Sequence, residues 1–258
     1  MLEYGVNGGI DLKKNTATLD KTRLFHNIDR DYLSKYASRM NERVLWKGEI
    51  LVNEGDLTEG LYLVSEGTLA MQKYSIDGDY VSLQLLEVGD VMGHEFFYGT
   101  RNRYTYSVEA VTNANVIYIP RDVLHRFLTD SEQMKENFLR LISDNIDEQY
   151  TRIDILSQRN LRMKITRYLL HLHGKSQENT DFLYGDIQRR STEATPVVEL
   201  PVSKEITAKL LAMPRPSFSR ELVRMEKEGL IRVNGRIIWL LDIHSLVYMG
   251  EDDEDEDE

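Results

Sequence analysis

Two stretches of the chain concentrate residue types able to do chemistry. The first, GDVMGHEFFYGTRNRYTYS at 89–107, sets His94 and Glu95 beside a glycine turn and follows them with Tyr98, Arg101, Arg103, Tyr104, Thr105 and Tyr106. Aromatic walls with one or two cations suit a small organic anion, such as an aromatic acid, whose ring stacks and whose charge is paired. A single imidazole beside a turn fits either an axial ligand to haem or a plain hydrogen-bonded histidine. Tyr104 and Tyr106 share one face of an extended strand, so sheet core is an equal reading of that pair. The second stretch, MPRPSFSRELVRMEKEGLIRVNGRII at 213–238, places Arg215, Ser217, Ser219, Arg220 and Arg224 on the early turns and exposed side of a helix. Arg232 and Arg236 then flank an Asn-Gly turn. Cations and hydroxyls on one solvent-facing surface suit phosphates and base edges.

Composition narrows what either stretch can mean. With 258 residues, 41% apolar and 29% charged, the chain can bury a core in two modest domains. It has no cysteine, which excludes disulfides, thiolate metal sites, cysteine-ligated iron-sulfur clusters and cysteine nucleophiles. No apolar run approaches the roughly 20 residues of a membrane span, and the N-terminus lacks a signal-peptide core, so a cytoplasmic protein without membrane partners is expected. Net charge is -11, unevenly spread: residues 158–250 carry +5, residues 1–157 carry -8, and the tail 251–258 is entirely acidic. A basic segment between acidic ones is where contact with phosphate is expected, and the like-charged tail has nothing to bury.

The elements that must position these residues follow from periodicity. Half of the 16 glycines fall between Gly48 and Gly99, and the short apolar or alternating runs between them predict an antiparallel sandwich or barrel over 21–130. Asp77-Gly78 predicts a hairpin turn there. Residues 131–157 lack Gly and Pro. Leu139, Ile142, Ile146, Gln149, Ile153 and Leu156 recur at alternating steps of three and four, the seam of a paired helix whose Gln149 would set register. Met134, Phe138 and Leu141 form a second stripe for the helix's own domain. A further helix is expected to end at Gly174, followed by a polar connection and a short strand, VVEL. Within 158–250, Ser203 caps one helix, Pro214 and Pro216 open the next with Phe218, Leu222 and Met225 inward, and IRVNGRIIWLL forms a two-stranded wing. Such an order reads as a winged helix-turn-helix whose second helix enters the major groove. The fold class expected is α+β: an N-terminal extension (1–20), a β-roll, a dimer helix, a winged helix-turn-helix and an acidic tail.

KGEILVNEGDLTEGLYLVSEGTL at 47–69, GDVMG at 89–93 and AKLLAMPRPSFSRELVRMEKEGLI at 208–231 together resemble the CRP/FNR family of bacterial transcription regulators. The resemblance implies a homodimer on a palindromic promoter site, contact with RNA polymerase, a small-molecule effector in the cyclic-nucleotide-binding-like jelly roll, and allosteric control of the recognition helices. It assigns Arg215, Ser217 and Arg220 to base reading. Cyclic-nucleotide-binding members carry a glutamate and then an Arg-Ser pair after the Gly-Asp-x-x-Gly turn. Here Gly93 is followed by His94, and the pair is replaced by Tyr104 and Thr105, which argues against cyclic AMP unless Glu95 with Arg101 or Arg103 stands in. Among enzymes, a cupin-type oxygenase needs two or three histidines converging with a carboxylate, and the β region supplies His94 and, at its edge, His125. No Ser-His-Asp, phosphate-loop or paired-carboxylate pattern is present, so a non-enzyme is expected.

Overall fold

The computed structural model describes residues 10, 11, 19, 22–75, 80–183 and 195–248, and the chain divides into two compact units, 1–149 and 150–258. The elements described in the first begin with a 3-10 turn, Arg23–Phe25, and helix α1, Arg30–Ala37, capped by the Asp29 carboxylate accepting from the Asp31 N–H. Eight strands follow: β1 (Asn41–Leu45), β2 (Ile50–Val52), β3 (Gly60–Glu66), β4 (Leu69–Tyr74), β5 (Tyr80–Leu86), β6 (Val91–Met92), β7 (Ser107–Ala110) and β8 (Ala114–Pro120). Every pairing among them is antiparallel, in two four-stranded sheets ordered β1-β8-β3-β6 and β2-β7-β4-β5. The expected sandwich is therefore present; the Asp77-Gly78 turn lies outside the described residues.

Period-two alternation sorts the core into two layers. On β3, Tyr62 and Val64 join Leu45, Leu69, Met92, Phe96, Val108 and Val116 between the sheets. Leu61 and Leu63 face the other way, with Phe25, Ile117, Ile119 and Phe127. Helix α2 (Arg121–Asp130) and α3 (Glu132–Ser157) close that second layer through Val123, Leu124, Phe127, Met134, Phe138 and Leu141. The second stripe read on α3 is thus the one that packs on the β-roll. Two glycines set turns that no other residue would allow: a Cβ at Gly67 would lie 2.2 Å from the Asn113 carbonyl oxygen, and one at Gly93 2.8 Å from that of Gly60, both at positive φ.

The second unit contains the end of α3, then α4 (Leu161–Leu183), β9 (Val197–Glu199), α5 (Lys204–Leu210), α6 (Arg215–Lys227), β10 (Ile231–Asn234), β11 (Ile237–Leu240) and α7 (Ile243–Tyr248). Three expectations need correction. Helix α4 does not stop at Gly174 but runs to Leu183, because one interior glycine costs only about 1 kcal/mol and the next nine residues contain neither Gly nor Pro. The wing has three strands, with β9 antiparallel to β11. Its hairpin turns on Gly235 and Arg236, with Asn234 paired to Ile237, one residue later than an Asn-Gly centre.

Candidate nucleic-acid interface and effector site

Helix α6 is built to leave one face free. Phe218, Glu221, Leu222 and Met225 are buried, against the side where Leu210 and Leu211 of the preceding helix are also buried. Ser203 caps α5 by accepting from the Ile206 N–H at 3.4 Å. Between the helices Ala212 adopts φ 50°, the left-handed conformation that a tight turn needs and a Cβ opposes. Pro214 precedes the first residue of α6 and Pro216 stands in its first turn, where a missing N–H costs nothing.

All the predicted DNA-facing side chains on α6 are accessible, and several are held in place. Arg215 donates to Glu205 of α5 at 3.3 Å, spanning the turn. Arg220 donates to the Ser217 hydroxyl at 3.2 Å, so Ser217 orients a neighbouring guanidinium as well as offering its own hydroxyl. Ser219 is half-buried and Arg224 exposed, with Arg224 3.5 Å from Glu221. Arg236 is engaged within the wing: it donates to Glu199 at 2.6 Å and to the Pro201 carbonyl at 3.1 Å. It braces β9 against the hairpin. Arg232 is exposed.

One cluster escaped the sequence reading. Arg162 of α4 donates through Nε to Glu221 at 2.7 Å and through both Nη atoms to Glu228 at 2.6 and 2.9 Å. The guanidinium therefore clamps the middle and the C-terminal end of α6 to α4. Hydrogen bonds from Arg162 hold the Glu228 carboxyl below the usual carboxylate range. No local motif announces a clamp whose partners lie about 60 residues away. Nearby, Arg152 near the end of α3 donates to the Leu210 carbonyl at 3.1 Å, covering the open C-terminus of α5.

In the β-roll the predicted effector residues separate into two groups. Tyr104 and Tyr106 lie in the inter-sheet core with Phe96; the three rings contact one another at centroid distances of 5.4, 5.9 and 5.7 Å. The Tyr106 hydroxyl donates to Glu95, and burial followed by the Glu95 charge pushes that phenol well above the usual tyrosine range. His94 is mostly buried, with Nδ1 3.1 Å from the Val91 carbonyl and 3.6 Å from the Glu95 carboxylate. Desolvation lowers its pKa despite that carboxylate, favouring the neutral ring. Thr105 is half-buried, and its carbonyl accepts from Lys73 Nζ at 3.1 Å.

The remaining three are elsewhere. Tyr98 is 70% exposed and packs edge-on to Phe138 of α3, Arg101 is exposed, and Arg103 donates to the Gly55 carbonyl at 2.6 Å. The expected convergence of Arg101 and Arg103 on the tyrosines is not formed, because alternation along 103–106 turns Arg103 away from the face that buries Tyr104 and Tyr106. The cation beside this segment is Lys73, paired with Glu54. Among the described residues no group of three or more His, Asp or Glu is arranged to hold a metal ion.

On α3 the outward ridge is narrower than the heptad reading. Leu139, Ile146 and Ile153 are 63%, 51% and 61% exposed, and Tyr150, at the same helical phase, is 67% exposed. Ile142 instead packs partly against the β-roll core, Leu156 is half-buried, and Gln149 donates to Gln84 of β5 at 3.0 Å. No helix among the described residues is long and apolar enough to cross a membrane.

Comparison with known proteins places these elements. Residues 42–131 match the model of the cyclic nucleotide-binding domain, and residues 163–249 that of the Crp-like helix-turn-helix domain. The transcriptional regulator LdrP of Thermus thermophilus is 30% identical over 174 residues, 66% of this chain and 76% of that one. The fold is similar to FixK2 from Bradyrhizobium japonicum (TM-score 0.63, 18% identity, 81% of this chain and 96% of that one). It is also similar to a CooA mutant from Carboxydothermus hydrogenoformans (TM-score 0.67, 19% identity, 88% and 93%).

Proposed function

The chain belongs to the CRP/FNR family of transcription regulators, and from that premise we propose that it works as a homodimer on a palindromic duplex site, under the control of a small molecule held in the β-roll. The observation that carries the DNA reading is the division of α6 into a buried apolar stripe and an open face bearing Arg215, Ser217, Ser219, Arg220 and Arg224. Pairing through α3 is supported by the exposed ridge of Leu139, Ile146, Tyr150 and Ile153; large apolar groups in a row on one helix suit a second copy of the same helix. A two-fold dimer presents two recognition helices, so a two-fold site follows.

For the effector, Glu95 is the ionisable group at the edge of the tyrosine cluster with access to water, its side chain 36% exposed. It suits a ligand that offers a hydrogen-bond donor and an aromatic or apolar body to the Tyr104–Tyr106–Phe96 cluster. An anionic group on that ligand would draw on Lys73 rather than on Arg101 or Arg103. Tyr104 and Thr105 occupy the places of the Arg-Ser pair, which disfavours a cyclic phosphate. Control requires that the ligand bind one arrangement of the dimer better than the other. RNA polymerase as partner and a cytoplasmic location belong to the same reading.

Sedimentation of the purified chain, combined with titration of a labelled random duplex and a selected duplex at low and physiological salt, tests the proposal. A dimer that prefers the selected site, with affinity falling steeply as salt rises, is the expected result. A monomer indifferent to duplex DNA would overturn it.

A further inference from the structure

The open face of α6 has a composition that narrows the DNA it can read. At about 100° per residue, the line opposite the buried residues Phe218, Leu222 and Met225 carries Pro216, Arg220, Val223 and Lys227. Val223 is 50% exposed. A β-branched residue is a poorer helix former than Lys, Glu or Ala, and Val223 is not one of the buried core residues, so neither helix formation nor a place in the core accounts for its position beside Arg220.

Its surroundings say what it can touch. The acidic residues of the helix are turned to other uses: Glu221 is buried against Arg162, and Glu226 accepts from the Val233 N–H at 2.9 Å. The ridge thus offers no carboxylate to a cytosine amino group. It offers a guanidinium, which suits guanine, and an apolar branched side chain next to it. In a major groove one base edge is apolar, the C5 methyl of thymine.

Resting on the DNA-binding reading above, we propose that Val223 is a specificity-determining residue that contacts a thymine methyl adjacent to the guanine read by Arg220. The operator half-site then contains a guanine with a neighbouring thymine, and removing that methyl alone weakens binding by about four-fold per half-site, the worth of one buried methylene-sized group.

The test begins with selection of a duplex from a random pool by the full-length chain, followed by replacement of each thymine in both half-sites with deoxyuridine, which deletes only the methyl. The expected result is one symmetric pair of positions where wild type loses about fifteen-fold in affinity, four-fold taken twice. Val223→Ala should bind the thymine and deoxyuridine duplexes alike there, and Val223→Thr, which keeps one methyl, should retain part of the difference. Either of two outcomes overturns the inference: a selected half-site with no thymine beside the guanine, or Val223→Ala discriminating thymine from deoxyuridine as wild type does. Recovery of no preferred sequence would instead bring down the DNA-binding reading itself, and this inference with it.

Discussion

Replacing Arg162 by methionine should loosen the recognition helix by about 2 kcal/mol. The size follows from where the charges lie. Glu221 has only 11% of its side chain exposed and receives Arg162 Nε at 2.7 Å, while the guanidinium is itself 28% exposed. Stripping the partner from a fully buried carboxylate costs about 3–5 kcal/mol. Here water reaches the site from the guanidinium side, and Arg224 stays 3.5 Å from the other carboxylate oxygen, so the penalty falls below that range. Methionine keeps the length of the stem, which separates loss of charge from loss of packing. Changing both partners, Arg162→Met with Glu221→Met, removes the stranded carboxylate and should recover most of the stability, leaving less than about 1 kcal/mol of net loss. The two tryptophans make the measurement clean: Trp46 lies in the first unit and Trp239 in the second. In a Trp46→Phe background, urea unfolding followed by fluorescence reports on the helix-turn-helix unit alone. A shift of the single variant within about 0.5 kcal/mol of its parent, or a double variant as unstable as the single one, would refute the clamp.

Four further outcomes are expected. Arg220→Ala should cost about 1–3 kcal/mol of specific binding at one base pair of each half-site, as a gel-shift comparison of selected and random duplexes would reveal, while leaving the sedimentation coefficient unchanged. Ile146→Asp places a charge on the exposed α3 ridge, where burying about half of each side chain is worth about 1 kcal/mol per copy, and should turn a dimer into a monomer by ultracentrifugation. His94 is held neutral by burial, so the unfolded chain binds more protons below the ordinary imidazole value of about 6.5; thermal stability should fall as pH drops from there toward the lower folded value, and His94→Gln should flatten that part of the curve. Ala212→Gly relieves a left-handed alanine at φ 50° and should raise the unfolding free energy of the second unit, read from urea titration, by up to about 1 kcal/mol, whereas Ala212→Val should lower it.

Much of the architecture was legible because its signals are local. Glycine spacing and period-two runs marked the β-roll, and a three-four rhythm with a second stripe marked a helix serving two surfaces. Proline and serine placement marked the two helices before the wing. Misreadings arise where a local signal is weaker than its usual meaning: Gly174 predicts an end to α4, and its cost of about 1 kcal/mol is not enough to impose one. The wing's third strand was present as VVEL but could not be assigned to a sheet, since pairing across some 40 residues leaves no trace in either segment.

What the sequence by itself determined was the class of each element, the faces that turn inward and the residue types left outside, because propensity, periodicity and chain breakers act within a few residues. Tertiary structure alone decided which polar groups are spent on one another. Gln149 answers Gln84, Tyr106 answers Glu95, Arg103 answers Gly55, and Arg162 answers Glu221 and Glu228. A hydrogen bond is satisfied by whichever group the fold brings within about 3 Å, and that distance is set by the packing of both layers at once, not by the order of residues along either strand or helix.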